Sequence, residues 1–168
     1  MKVKDKHLRL CAAVISAVLI FSACGKGAKT VLNYEQPVSA MTAALDYADE
    51  QSYLSCFLPQ AKKAYLASDD YKSGFISQMI DKSQIISRVR IKINDNTELD
   101  SEELESLQND AKKTYGTRFS FTKGEKLDVS ILVETRQQEL SDSREITVVR
   151  YENVWYIYGD VIDSFSFV

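Results

Sequence analysis

The sequence predicts an α+β domain in which N-terminal helices pack on one face of a curved, mostly antiparallel sheet, with an extra helix near residues 101–115. Three observations predict it. Apolar residues recur with helical spacing between Pro37 and Ile80. The period then switches to two, with Val89, Ile91 and Ile93 alternating with Arg88, Arg90 and Lys92. From Leu127 to Tyr158, alternating runs are separated by turn-forming residues, as in a meander.

The first helix begins at Pro37, whose missing N–H costs nothing in an opening turn, and Val38, Met41, Leu45 and Ala48 mark its apolar face. Ser52 is expected to cap a second short helix that stops before Pro59. Ala61, Ala64 and Tyr65 continue the pattern, followed by Phe75, Ile76, Met79 and Ile80. Gly74 weakens this last helix by about 1 kcal/mol relative to alanine if it lies within it. After the 88–93 strand comes the best-specified element. Asp100 and Glu103 have the spacing of a capping box, flanked by Leu99 and Leu104 as a hydrophobic staple. Leu104, Leu107, Ala111 and Tyr115 line one face, and Gly116 stands where a left-handed C-terminal cap is wanted.

The remainder reads as strand. Arg118–Phe121 is a short candidate, and Leu127, Val129, Ile131 and Val133 form a long one. Ser141-Asp142-Ser143 is expected to turn the chain into a strand from Glu145 to Tyr151. Glu152-Asn153 turns it again into Val154–Tyr158, and Phe165-Ser166-Phe167 alternates to the end. On the Val154–Tyr158 strand Trp155 and Ile157 share one face, while Tyr156 and Tyr158 share the other.

Residues 1–23 stand apart from this domain. Lys2, Lys4, Lys6 and Arg9 precede an apolar run from Leu10 to Phe21, broken only by Ser16. That run is shorter than the ~20 residues needed to span a bilayer, and it ends at Phe21-Ser22-Ala23-Cys24. A basic start, a short apolar core and small residues before a cut site make a secretory signal. The last four residues resemble the lipobox of bacterial lipoproteins, with Phe21 where Leu is usual. The resemblance implies cleavage before Cys24, a diacylglyceryl thioether on its sulfur and attachment to the extracytoplasmic face of the cell membrane. The alternatives are an ordinary signal peptide cut near Ala23, with Cys24 a free thiol, and a retained anchor. Two acyl chains hold a protein stably on a bilayer at ~0.8 kcal/mol per buried methylene. The expected organisation is a signal over 1–23, a lipidated tether over 24–34 and a folded domain over 35–168. Lys26 and Lys29 either face anionic headgroups or are simply solvated.

Composition narrows the activities. Residues 1–23 hold four of the chain's 21 Lys/Arg and one of its 24 Asp/Glu, so the rest carries 17 positive and 23 negative charges, a net −6. An acidic chain without a basic stripe is a poor match for nucleic acid. The single histidine is His7. Past the signal there is thus no Ser-His-Asp or Cys-His chemistry, and no zinc site built on histidine. Once Cys11 departs and Cys24 is lipidated, Cys56 remains alone in an apolar stretch and reads as a buried, inert thiol. Asp95-Asn96-Thr97-Glu98 lacks the glycine and the twelfth-position Glu of a calcium loop. Asp49-Glu50 and Asp69-Asp70 read as helix-end charges. No cofactor or metal is implied.

The opening helix Pro37–Asp49, the Leu58-Pro59 break and the closing Asn153-Val154-Trp155-Tyr156-Ile157 together resemble the NTF2-like (cystatin-like) superfamily, in its small Gram-positive lipoprotein branch. The resemblance covers about residues 35–160, and the 101–115 helix is an elaboration on its simplest form. It implies a sheet wrapped into a cone, used by different members as enzyme pocket, ligand pocket or scaffold. Within such a cone the candidate pocket residues are Trp155, Ile157, Tyr47 and Tyr65. The opposite sheet face, with Tyr151, Tyr156 and Tyr158, is a candidate interface for a homodimer or a protein partner, or simply a half-exposed strand face. The leading expectation is a membrane-tethered, non-enzymatic binding module. The alternatives are a small-ligand or vestigial enzyme cone using Trp, Tyr and an acid, and a dimeric structural component of the envelope.

Overall fold

A computed structural model describes residues 33–82, 85–135 and 138–161. The Cys24 region and the Phe165–Phe167 run lie outside these described residues. A 3-10 turn, Asn33–Glu35, leads into α1 (Gln36–Asp46), α2 (Glu50–Ser55), α3 (Pro59–Leu66) and α4 (Phe75–Lys82). Then follow β1 (Ile85–Glu98), α5 (Ser101–Tyr115), β2 (Phe121–Thr135), β3 (Glu139–Tyr151) and β4 (Val154–Tyr158). The strands form one antiparallel sheet in the order β1-β2-β3-β4. The fold is α+β, and the sheet is open.

Strand pairing sorts the side chains into two faces. Directly opposed residues share a face, so Ile91–Ile131, Leu127–Ile146 and Val148–Ile157 line one side. Tyr34, just before α1, packs its ring edge-on to Trp155 on that same side, at 6.2 Å between centroids. The space between the first two helices and this face is filled by Val38, Met41, Leu45, Leu54 and Phe57 against Leu127, Val129, Ile131, Val148 and Ile157, all at most 2% exposed. Each such side chain contributes about 1.5–3 kcal/mol of burial.

The extra helix near 101–115 lies on the other face of the sheet. Tyr158, on the opposite side from Ile157, donates its hydroxyl to Asp110 of α5. Gly124, paired with Val149 on that opposite side, lies beneath Leu99 and Leu104. The 101–115 helix therefore covers the second face. The chain reaches that side around the β4 edge, where Ile157 N–H donates to the Cys56 carbonyl at 2.8 Å and Phe57 forms a parallel bridge to Ile157. That edge contact closes β4 and carries α3 round to meet α5.

Several local expectations change as well. The acceptor at the start of α2 is Asp49, whose carboxylate takes the Ser52 N–H at 3.1 Å and the Ser52 hydroxyl at 2.5 Å. Ser52 is thus the capped residue, the neighbouring acid being better placed to accept. Helix α1 ends at Asp46, leaving Ala48 outside with φ +51°. Gly74, at φ +77°, precedes α4 and brings no penalty within a helix. The segment 118–120 is loop, and the strand begins at Phe121. Ser141-Asp142-Ser143 is not a turn. These residues pair with Leu132, Ile131 and Ser130, because β2 continues as far as Thr135 and holds its partner extended. By contrast, the α5 capping box, its left-handed Gly116 cap at φ +68° and the Glu152-Asn153 turn, with φ +50° and +65°, form as the sequence predicts.

Candidate functional site

A cleft opens where α3, the end of α5 and the segment after β4 converge. Ala61, Ala64 and Tyr65 come from α3, Ser68 and Asp70 from the turn beyond it, Thr114 and Tyr115 from α5, and Gly159, Asp160 and Val161 from the chain leaving β4. Its volume is about 240 Å³. Tyr65 is held here because its ring packs edge-on against Tyr71 and Phe75, at 5.6 and 5.3 Å. Those two rings are fixed in turn by Glu50, which accepts from the Tyr71 hydroxyl at 2.8 Å and from the Gly74 and Phe75 N–H groups at 2.7 and 3.0 Å. Tyr115 packs edge-on against Phe119 at 6.1 Å.

The charged residues that line the cleft, among the described residues, are Asp70 and Asp160. Burial and the nearby carboxylates raise the pKa of both tyrosines: Tyr65 mainly through burial, with Glu50, Asp70 and Asp160 adding, and Tyr115 through burial, with Asp160 and Asp110 adding. Tyr65 is 8% exposed.

A second polar locus lies at the Trp155 end of the α1 face. Glu125 is 7% exposed, the one charged residue buried to that degree among those described. Its carboxylate accepts from the Asn96 amide at 3.0 Å, and the Asn96 carbonyl oxygen accepts from the Tyr34 hydroxyl at 3.2 Å. The chain Tyr34–Asn96–Glu125 thus runs beside Trp155. Asn96 belongs to β1, opposite Leu127, so Asp95–Glu98 is strand.

The residues expected to share a pocket are dispersed. Tyr65 lines the α3–α5 cleft, Ile157 is in the core, Trp155 packs on Tyr34, and Tyr47 is 84% exposed at the end of α1. The tyrosines expected on an open sheet face are packed beneath the chain's own elements. Tyr158 bonds to α5 and packs on Phe121 at 6.0 Å, Tyr151 packs on Phe119 and Phe121 at 5.4 and 6.4 Å, and Tyr156 is half-buried. Sequence reasoning missed Tyr34, Asn96, Glu125, Tyr115 and Asp160 as neighbours of these positions. The odd placement of Glu125 among the inward residues of β2 was the available signal for one of them.

Cys56 is buried, its thiol donates to the Ser52 carbonyl at 3.3 Å, and burial pushes its pKa up to about 12. Among the described residues, no group of three or more Cys, Asp or Glu is placed to hold a metal, and no helix is long and apolar enough to cross a membrane. No protein-family model matches the chain, and no curated protein matches it in sequence.

Proposed function

We propose that this chain is an exported bacterial lipoprotein, held on the outer face of the cytoplasmic membrane by a diacylglyceryl group on Cys24, whose folded part is a non-enzymatic binding module. In this reading the domain is an NTF2-like relative of small Gram-positive lipoproteins, with the cone interior filled. The observation that carries the module reading is that filling: Met41, Leu45, Leu54 and Phe57 occupy the space over Val129, Ile131 and Ile157 in which an enzyme cone would seat its substrate. Acids near the helix ends are engaged in folding, Asp49 and Glu50 as caps and Asp46 as acceptor for the Val89 N–H at 2.8 Å. Recognition then falls to the outer cleft.

The address is tested by producing the full chain in a bacterium and determining the mass and first residue of the membrane-bound form. Expected is a chain starting at Cys24 with a diacylglyceryl adduct, and a Cys24→Ala protein that is neither lipidated nor cut at that bond. A Cys24→Ala protein that is still trimmed and still pellets with membranes overturns it.

One observation favours a second reading. Trp155, Tyr34 and Glu125 bring an indole, a phenol and a buried acid together, the set expected of a small-ligand site. If they form one, Glu125→Gln and Tyr34→Phe change ligand affinity without changing stability; a change in stability alone makes the chain structural.

A further inference from the structure

The two edges of the sheet differ. Cys56-Phe57 meets β4 at Ile157, whereas β1, 14 residues long, has no strand on its outer side among the described residues. In an antiparallel pair, residues that bond to the neighbouring strand alternate with residues whose N–H and C=O point away from it. The Val89 N–H goes to Asp46 Oδ1 at 2.8 Å, so Val89 points away from β2. Ile91 and Ile93 follow it in register, opposite Ile131 and Val129. The shift between Ile93 and Asp95 gives β1 one extra residue, and Asn96 is the next to point outward, opposite Leu127. Its N–H is accordingly taken by Asp95 Oδ1 at 2.8 Å, not by β2. Among the described residues, no group outside the sheet bonds to the Ile91 backbone. An edge of this kind is a template for a further strand.

Charge selects which strand. Arg90 and Lys92 lie in the first half of the exposed stretch, Asp95 and Glu98 in the second. A parallel strand of the same sequence sets like against like, while an antiparallel one sets the basic half against the acidic half. Registers centred on Ile91 or Lys92 still oppose Arg90 to Lys92 or Lys92 to itself, and like charges directly opposite are destabilising. The register centred between Ile93 and Asn94 opposes Lys92 to Asp95. The extra residue makes this pairing possible, because it puts Lys92 and Asp95 on one face, as it does their β2 partners Ser130 and Asp128. The same register sets Ile91 against Asn96, both with outward backbones.

We propose that β1 pairs with β1 of a second copy of this chain, antiparallel about a two-fold axis between Ile93 and Asn94, joining two four-stranded sheets into one. Each contact then occurs twice: Lys92 of one copy meets Asp95 of the other, and Ile91 exchanges backbone bonds with Asn96. Asp95 gives up its own Asn96 N–H for the incoming Lys92, and the freed N–H donates to the Ile91 carbonyl. Asp46 keeps the Val89 N–H and ends the ladder. So short a ladder buries less than the ~1,200 Å² of stable complexes. The dimer is therefore weak in free solution, and confinement of both copies to one membrane would strengthen it. The inference goes beyond the binding-module reading and does not depend on it.

The test joins two measurements on the full chain. Lys92→Cys and Asp95→Cys chains carrying different tags are produced together in a bacterium, and its membranes are oxidised with copper phenanthroline. Expected is a mixed-tag disulfide dimer severalfold above either same-tag dimer, since only the opposed pair falls within the ~7 Å Cα separation a disulfide can bridge. The unsubstituted chain, oxidised alongside, reports any dimer made through Cys24, which bears on the lipid and not on the edge. In sedimentation equilibrium in density-matched micelles, Lys92→Glu and Asp95→Lys should each weaken self-association about tenfold, and the combined Lys92→Glu/Asp95→Lys chain should regain it. Both residues are exposed, so the circular dichroism spectrum should not change. Mixed-tag and same-tag dimers in equal yield overturn the proposal, as does self-association indifferent to both charge reversals. So does a chain that stays monomeric in micelles and gives no mixed-tag dimer in membranes. A disulfide to a different protein, with none between copies, assigns the edge to another partner and overturns self-pairing.

Discussion

The Tyr158 hydroxyl donates to the Asp110 carboxylate at 2.7 Å and lies 3.2 Å from the Leu107 carbonyl, joining the last strand to a helix 48 residues earlier. This is the polar fastening of α5 to the second sheet face, with the Tyr158 ring packed on Phe121. Tyr158→Phe keeps the ring and removes the bond. It should lower stability by about 1–2 kcal/mol, read as a drop in urea midpoint at unchanged slope. Asp110→Asn retains an acceptor and should cost less.

Ala48 closes α1 in a left-handed conformation that glycine adopts more readily. Its N–H donates to the Leu45 carbonyl at 3.2 Å and the Asp49 N–H to the Ala44 carbonyl at 2.8 Å, the paired bonds of a Schellman ending. A left-handed non-glycine costs roughly 1–2 kcal/mol, against about 0.5–1 kcal/mol of added chain entropy for glycine. Ala48→Gly is therefore expected to raise stability by about 0.5–1 kcal/mol, measured by thermal unfolding. A fall would mean that the Ala48 methyl makes packing contacts outweighing the backbone strain.

Gly124 shows the reverse constraint. A Cβ at this position would lie 2.5 Å from Leu99 Cδ1 and 3.0 Å from Leu104 Cδ2, the two residues of the α5 staple. Gly124→Ala forces both leucines to move and should cost about 1–3 kcal/mol. The clash is with side-chain ends, so Gly124→Ala in a Leu99→Ala background should cost clearly less. A double-mutant cycle giving additive losses would place the strain in the backbone instead.

These contacts show what the sequence could and could not reveal. The α5 capping box was legible because its partners lie three residues apart, and the opposite facings of Trp155 and Tyr158 because strand parity is local. Errors arose where two residues of similar chemistry compete, as with Asp49 and Ser52, and where pairing overrides composition, as at Ser141–Ser143. The cleft was not legible at all. Tyr65, Tyr115 and Asp160 are brought together only because the β4 edge contact turns α3 onto the face that α5 covers. No spacing in the sequence encodes that route.

Alkaline pH should unfold the domain over a defined range. Burial raises the pKa of the Cys56 thiol to about 12, and of the Tyr53, Tyr158 and Tyr65 phenols above their ordinary values. The unfolded chain releases these protons near 8.5 for the thiol and 10 for the phenols. Below about pH 8 both states keep them and stability is undiminished. Above it the unfolded state binds fewer protons than the folded one, so stability falls as pH rises. Urea unfolding between pH 8 and 11 should show this loss, and Cys56→Ala should flatten it by up to ~1.4 kcal/mol per pH unit between about 9 and 11. An unchanged slope in that variant would mean the thiol ionises freely in the fold.

Whether the α1 face is a core or a ligand space is decided by Met41, which is 0% exposed among Val38, Leu45 and the inward residues of β2 and β3. If side chains fill that space for packing alone, Met41→Ala leaves a cavity and lowers stability by about 2–5 kcal/mol. If the interior instead opens for a ligand, neighbours already adapt to partial filling, and the same substitution should shift the melting temperature little while altering the affinity of apolar probes. A large loss of stability without new probe binding makes this space a core and leaves recognition to the outside of the domain. A small loss with new probe binding returns it to the sheet interior, beside Trp155 and Glu125.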